Sequence, residues 1–189
     1  MEILPLIKIK NRKIKDTSVE KIILDKEKIF KDKTTYFLDY DGIDKNKPNL
    51  CTIQKLSKNY DLCVDSAPKN LGDVVDIFMS GARAIVIRKK YYKNFNPINI
   101  KEISENMVFQ FIEEKKEDLD FIEINKYIDG YISFENKDKI YSDFIYKSSI
   151  DQIKNKFYVY EEDVNNKKYW EKEGIKGLII DYKRVKEFI

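Results

Sequence analysis

A (β/α)8 barrel is the fold class this sequence predicts, and three observations carry the prediction. Eight short apolar runs punctuate the 189 residues, each stopping on a polar turn, with helical patterns between several of them. The runs are continuous rather than alternating, as expected of strands covered on both faces in a parallel sheet flanked by crossover helices. An octet also repeats. Gly81-Ala82-Arg83-Ala84-Ile85-Val86-Ile87-Arg88 and Gly174-Ile175-Lys176-Gly177-Leu178-Ile179-Ile180-Asp181 share glycine, apolar and basic positions in step, which suggests two related half-barrels. Such barrels usually need about 200 residues or more, so the expected form is compact, with short or degenerate helices. An open doubly wound sheet would also give buried parallel strands, but no Gly-x-Gly-x-x-Gly follows any run.

In chain order, the first strand is the run Ile3-Leu4-Pro5-Leu6-Ile7-Lys8-Ile9, followed by a basic turn over residues 10–15. Val19, Ile22, Ile23, Ile29 and Phe30 offer apolar positions for an irregular or helical crossover. The second strand ends at Asp39. A helical pattern (Leu50, Ile53, Leu56) leads to the third, Leu62-Cys63-Val64, which stops at Asp65. Val74, Val75, Ile77, Phe78 and Met79 form an apolar helix face, Gly81 closes it, and residues 83–88 form the fourth strand. A basic, aromatic loop (89–95) precedes a weak helical stretch from Pro97. The fifth to eighth strands are residues 107–112, 130–134, 157–160 and 177–180, with a charged segment at 113–120, a helix around 141–154, and a terminal stub at 184–189.

Composition narrows the function. Lys+Arg at 36 and Asp+Glu at 33 leave a net charge of only +3, which argues against a nucleic-acid partner. No run is long enough to span a bilayer and no signal-peptide cleavage site is visible, so one cytoplasmic domain over residues 1–189 is expected, with no membrane partner. Cys51 and Cys63 lack disulfide or metal spacing and read as core thiols. The chain contains no histidine, so Ser-His triads and His-ligated metals are excluded.

Three segments together resemble the histidine-biosynthesis barrels, the phosphoribosylformimino-aminoimidazole-carboxamide ribotide isomerase and the cyclase subunit of imidazole glycerol phosphate synthase. They are Pro5-Leu6-Ile7-Lys8-Ile9, Asp39-Tyr40-Asp41-Gly42 with Asn49 beyond, and Asp73-Val74-Val75 through Ser80-Gly81-Ala82-Arg83-Ala84-Ile85-Val86-Ile87. The resemblance covers about the first ninety residues and is topological after that. It implies a shortened, diverged relative. Lys8 stands where that family carries its first catalytic aspartate, and Glu113 matches the second catalytic acid only with a one-residue shift. Asp65-Ser66-Ala67-Pro68 replaces one glycine-rich phosphate turn, Tyr160-Glu161-Glu162-Asp163 the other, and three carboxylates in the latter would repel a phosphate.

Barrel chemistry occurs where the C-terminal strand ends converge, and here these ends bear Lys8, Asp39, Asp65, Arg88, Glu113, Glu135, Glu161 and Asp181. The catalytic candidates are Lys8, Asp39 and Glu113, and the substrate-binding candidates are Asp65, Ser66 and Arg88. In this reading Lys8 or Arg88 holds an anionic group while Asp39 or Glu113 moves a proton. Lys8 as a Schiff-base nucleophile and a divalent cation among the acids are further alternatives. The plain alternative is that strand ends are simply where chains turn polar, with Lys8 and Arg88 neutralising their acidic neighbours. The expected function is an isomerase or lyase acting, without a cofactor, on a phosphorylated amino-sugar type metabolite. Its competitor is a catalytically inactive barrel serving as a binding or assembly subunit, and either allows homo- or hetero-oligomers.

Overall fold

The computed structural model describes residues 1–15, 34–112, 126–142 and 150–189. Its strands are β1 (Glu2–Lys10), β2 (Lys13–Ile14), β3 (Thr34–Asp39), β4 (Asp61–Asp65), β5 (Ala84–Arg88), β6 (Met107–Phe111), β7 (Gly130–Ser133), β8 (Phe157–Tyr160) and β9 (Gly177–Asp181). All but β2 form one closed parallel barrel in the order β1-β3-β4-β5-β6-β7-β8-β9, sealed by pairing of β9 with β1. The (β/α)8 barrel is therefore the fold, and each of the eight strands expected from the apolar runs is present. β1 is shared along its length. Its first half, Glu2 to Leu6, pairs with β9, and its second, Leu6 to Ile9, pairs with β3. This offset is the stagger that lets a twisted parallel sheet close on itself.

The helices are α1 (Tyr40–Lys45), α2 (Leu50–Leu56), α3 (Leu71–Met79), α4 (Pro97–Ile103), α5 (Lys137–Ser142), α6 (Lys167–Glu173) and α7 (Val185–Phe188). Their boundaries are chemical. Asn70 accepts a hydrogen bond from Asp73 N at the start of α3, Asn96 and Asn99 form a reciprocal capping box around Pro97 at the start of α4, and Gly81 and Gly174 leave α3 and α6 with φ of 98° and 74°. Two expectations shift. α5 begins at Lys137 rather than near Tyr141, because Asn136 accepts from Lys139 N and starts the turn earlier. The basic turn at 10–15 is a hairpin: Asn11 and Arg12 both adopt left-handed backbone (φ 52° and 63°), which folds β2 back onto β1. The expected crossover at 19–30, the charged segment at 113–120 and part of the helix at 141–154 lie outside the described residues.

Strand alternation divides the core into two shells. Ile7, Ile9, Phe37, Leu62, Val64, Ile85, Ile87, Leu178 and Ile180 point outward and are buried under the helices with Ile53, Val74, Ile77 and Trp170. Leu4, Leu6, Tyr36, Leu38, Cys63, Ala84, Val86, Phe109, Ile132, Tyr158 and Ile179 fill the barrel interior. Each large side chain so buried contributes about 1.5–3 kcal/mol. Near the N-terminal end of the barrel two rings, Phe109 and Tyr158, meet edge to face with centroids 5.6 Å apart. Glycine is required beside them: a Cβ on Gly130 would lie 2.4 Å from the Phe109 ring, and one on Gly177 would lie 2.9 Å from Tyr158. Among the described residues no helix is long and apolar enough to cross a membrane.

Candidate functional site at the barrel mouth

The period of two that builds the barrel also decides which strand-end charges face its interior. Lys8 continues the inward series Leu4, Leu6; Asp65 follows Cys63; Arg88 follows Ala84 and Val86; Tyr160 follows Tyr158; Asp181 follows Ile179. These inward groups collect in two networks.

The first lies deep. Arg88 Nη2 is 2.9 Å from both carboxylate oxygens of Asp65, and the Tyr36 hydroxyl donates to Asp65 Oδ2 at 2.8 Å. Asp65 and Tyr36 are fully buried and Arg88 is 7% exposed. The guanidinium carbon also sits 4.2 Å from the Phe111 ring centroid. Burial, and then the adjacent Asp65 charge, push the Tyr36 phenol well above its ordinary value, so it stays a donor.

The second network is open to water. Lys8 Nζ lies 2.8 Å from Asp181 Oδ1 with the two side chains 25% and 27% exposed, and it also approaches the Tyr160 hydroxyl at 3.3 Å. That hydroxyl is 2.6 Å from Glu162 Oε1 and 3.1 Å from Asp181 Oδ2, two acceptors competing for one proton. Partial burial, then the bonds and charges of Glu162 and Asp181, raise the Tyr160 pKa. Beside it the Phe134 ring stacks on Tyr160 at 5.0 Å and meets Phe111 and Tyr36 at 5.7 Å, giving the mouth an aromatic wall.

Outward-facing strand ends have another destination. Asp39 is the N-cap of α1, accepting from Asp41 N and Gly42 N at 3.1 and 3.2 Å, and it accepts from Asn49 N and Nδ2 at 2.6 and 2.7 Å. Its carboxylate is spent on organising the α1–α2 link, on the opposite side of β3 from the mouth. Burial raises its pKa despite those bonds. Two residues on, the Arg12 backbone N–H, then Asn49, then Lys45 hold Asp41 well below its ordinary value. Glu161 likewise turns outward and accepts from Trp170 Nε1 at 2.7 Å and from the backbone N–H groups of Glu162 and Asp163.

The structure thus brings Lys8 together with Asp181 and Tyr160, and Asp65 together with Arg88 and Tyr36, and it separates Asp39 from both. Ser66 is buried under Gly42, where an added Cβ would come 2.5 Å from that of Ser66. The Ser66 hydroxyl has no hydrogen-bond partner among the described residues, and the chain leaves it through Ala67 at φ 50°. Glu135 pairs with Lys139 at 3.1 Å. Glu113 lies outside the described residues. Among the described residues no three carboxylate or cysteine side chains gather as a metal site requires, so the oxygen ligands expected for a divalent cation are not assembled there. Tyr36 and Tyr160 were not singled out from the sequence, although the inward parity of Tyr158 marks Tyr160.

No family model matches this chain, and no curated protein matches it in sequence. Among solved structures it is similar to dihydrodipicolinate synthase from Thermotoga maritima, with 11% identity and a TM-score of 0.59 over 99% of this chain and 71% of that one. It is also similar to a monomeric dihydrodipicolinate synthase variant, with 12% identity and a TM-score of 0.58 over 99% of this chain and 70% of that one. At such identities the likeness is one of fold. It supports the barrel and adds nothing specific to the histidine-biosynthesis resemblance.

Proposed function

We propose that this barrel is a small-molecule enzyme of lyase or isomerase type that moves a proton beside a carbonyl group of a small anionic metabolite. The reading rests on one observation: Lys8, Tyr160 and Asp181 form a hydrogen-bonded cluster that faces the mouth and remains partly open to solvent. Lys8 holds the carbonyl oxygen or an adjacent anionic group of the substrate. Asp181 accepts the proton, and Tyr160, kept protonated by its raised pKa, donates to the oxygen on which negative charge develops. Asp39, turned outward onto the α1–α2 link, leaves the proton-moving role assigned to it to Asp181. Asp65 and Arg88 form the floor rather than a free anion contact. The dihydrodipicolinate synthase neighbours support an enzyme of this general class through fold alone.

The test is proton exchange. Candidate 2-oxo acids and sugar phosphates, including amino-sugar phosphates, are incubated with the protein in D2O and loss of the proton beside the carbonyl is followed by NMR. Exchange with one of them should fall by about 10²-fold or more in Lys8→Met and Asp181→Asn, the scale of a lost acid–base group. Wild-type rates in both variants would sink the assignment.

A second reading, a barrel that binds without reacting, is favoured by a specific feature: among the described residues the inward cations of the mouth already have carboxylates beside them, Lys8 with Asp181 and Arg88 with Asp65. It predicts a ligand that raises the melting temperature of wild type and of Asp181→Asn alike with no exchange in either.

A further inference from the structure

Outside the barrel mouth, behind the C-terminal ends of β1 and β3, the Asn11-Arg12 turn faces the α1–α2 link across a cleft of about 780 Å³. Arg12, Lys45 and Lys47 line it together with Asp41, Leu50 and Cys51. Three cations against one carboxylate leave a local charge of +2. The carboxylate is fully engaged: Asp41 Oδ2 accepts from Arg12 N at 3.0 Å and Asn49 Nδ2 at 3.1 Å, and Oδ1 accepts from Lys45 Nζ at 3.1 Å. Lys45 also donates to Asn11 Oδ1 at 3.0 Å, which ties α1 to the turn. The wall is thereby fixed from both sides. The Arg12 guanidinium and the Lys47 ammonium, by contrast, make no ion pair or hydrogen bond with any described residue.

We propose that this cleft binds a small phosphorylated metabolite through its phosphate. An arginine and a lysine whose charges are not answered within the described chain, held beside a turn whose backbone is pinned by Asp41, suit a dianion better than a neutral ligand. The guanidinium offers a planar fork to two phosphate oxygens and Lys47 a point charge to the third. Leu50 and Pro48 give the body of the ligand an apolar surface, and the volume falls within the range of about 300–1,000 Å³ usual for small-molecule sites. No residue of the cleft belongs to the Lys8–Tyr160–Asp181 cluster, so the proposal stands apart from the proton-transfer reading.

Cys51 makes the site testable. Contrary to its reading as a core thiol, Cys51 is exposed and lines the cleft, whereas Cys63 is fully buried in the barrel as expected, so a thiol reagent reports on Cys51 in the folded protein. The rate of Cys51 alkylation is measured against rising inorganic pyrophosphate and, separately, glycerol phosphate, with ionic strength held constant by chloride. A saturable slowing of about fivefold is expected, and the concentration giving half protection should rise about tenfold in Arg12→Gln/Lys47→Gln, the loss of about 1.4 kcal/mol. Lys47→Gln alone, at an exposed position, should show a smaller rise in the same direction, while Lys172→Gln on α6 should behave as wild type. Protection that does not saturate, or that is equal in wild type and the double variant, overturns the proposal.

Discussion

The two octets repeated in the chain end at the barrel mouth on Arg88 and Asp181, and the two residues meet opposite fates. Each is the inward residue at the C-terminal end of its strand, each enters that strand from a left-handed glycine, and each meets an opposite charge from another strand. Arg88 is sealed over Asp65, beneath an aromatic ring and beside Tyr36. Asp181 meets Lys8 in a pair that is about one-quarter exposed on each side. The same position in a repeated unit is therefore sealed in the core in one half and left partly open to solvent in the other. What separates them is desolvation: the Arg88–Asp65 pair is shut away from water and held by the two bonds from Arg88 Nη2 and the one from Tyr36, whereas Lys8 and Asp181 keep part of their hydration. A wet pair keeps its charges available to a third party.

The comparison breaks most visibly at Arg88. Replacing it with Met strands the Asp65 carboxylate in the barrel and should cost about 3–5 kcal/mol, read as a lowered urea midpoint. Adding Asp65→Asn should restore a large part of that loss. If Arg88→Met alone lost under about 1 kcal/mol, the deep pair would have to be reclassed with surface pairs.

Asp39 tests whether an outward strand end is structural. Asp39→Ala removes a helix cap and two bonds from Asn49, and a loss of about 2 kcal/mol is expected from the cap and the charge-assisted bonds together. A stability equal to wild type would mean that the α1–α2 link does not depend on it.

Asp41 sharpens the contrast through pH. Its folded pKa lies below the ordinary 3.8, so the stability it contributes is present above about pH 4 and is lost as pH falls toward the folded value. The gap between wild type and Asp41→Asn should therefore narrow on going from pH 7 to pH 3 in chemical denaturation. A gap that stays constant would show the carboxylate charge to be irrelevant. Asp39 carries the opposite sign: its raised pKa means its contribution is greatest in acid and declines as pH rises through that value.

Smallest of all should be Lys8→Met. A part-exposed pair contributes about 0–1 kcal/mol, so the melting curve should scarcely move while the proposed proton exchange falls by about 10²-fold or more. A large destabilisation there would make the second pair a second packing element and remove the contrast between the two octets.

The barrel was legible because parallel strands covered on both faces need unbroken apolar runs, and runs such as Ala84-Ile85-Val86-Ile87 have few other uses. The site was half legible. A list of strand-end charges mixes inward with outward residues, and Asp39 and Glu161 fell on the outward side of their strands while Lys8 and Asp181 did not. Counting parity from Leu4 and Leu6 places Lys8 inside, and counting from Ile179 places Asp181 inside. Ring closure then brings the first strand beside the last, so the Lys8–Asp181 pair follows from residues already marked. Tyr36 and Tyr160 stayed hidden because a tyrosine in an apolar run looks like packing, and only its neighbours show where the hydroxyl points. The Asn11-Arg12 turn was beyond reach, since neither residue demands left-handed backbone without the Asp41 carboxylate that holds Arg12 N.

β1 is also the seam of the barrel. It hydrogen-bonds to β3 along one half and to β9 along the other, although β9 is the last strand of the chain. During synthesis from the N-terminus, the first half of β1 lacks its barrel partner until β9 has been made, about 170 residues later. A bare strand edge is a template for pairing with other chains. Pro5 lies within that waiting half and has no backbone N–H to offer a foreign strand, which makes the edge a poorer template until β9 arrives.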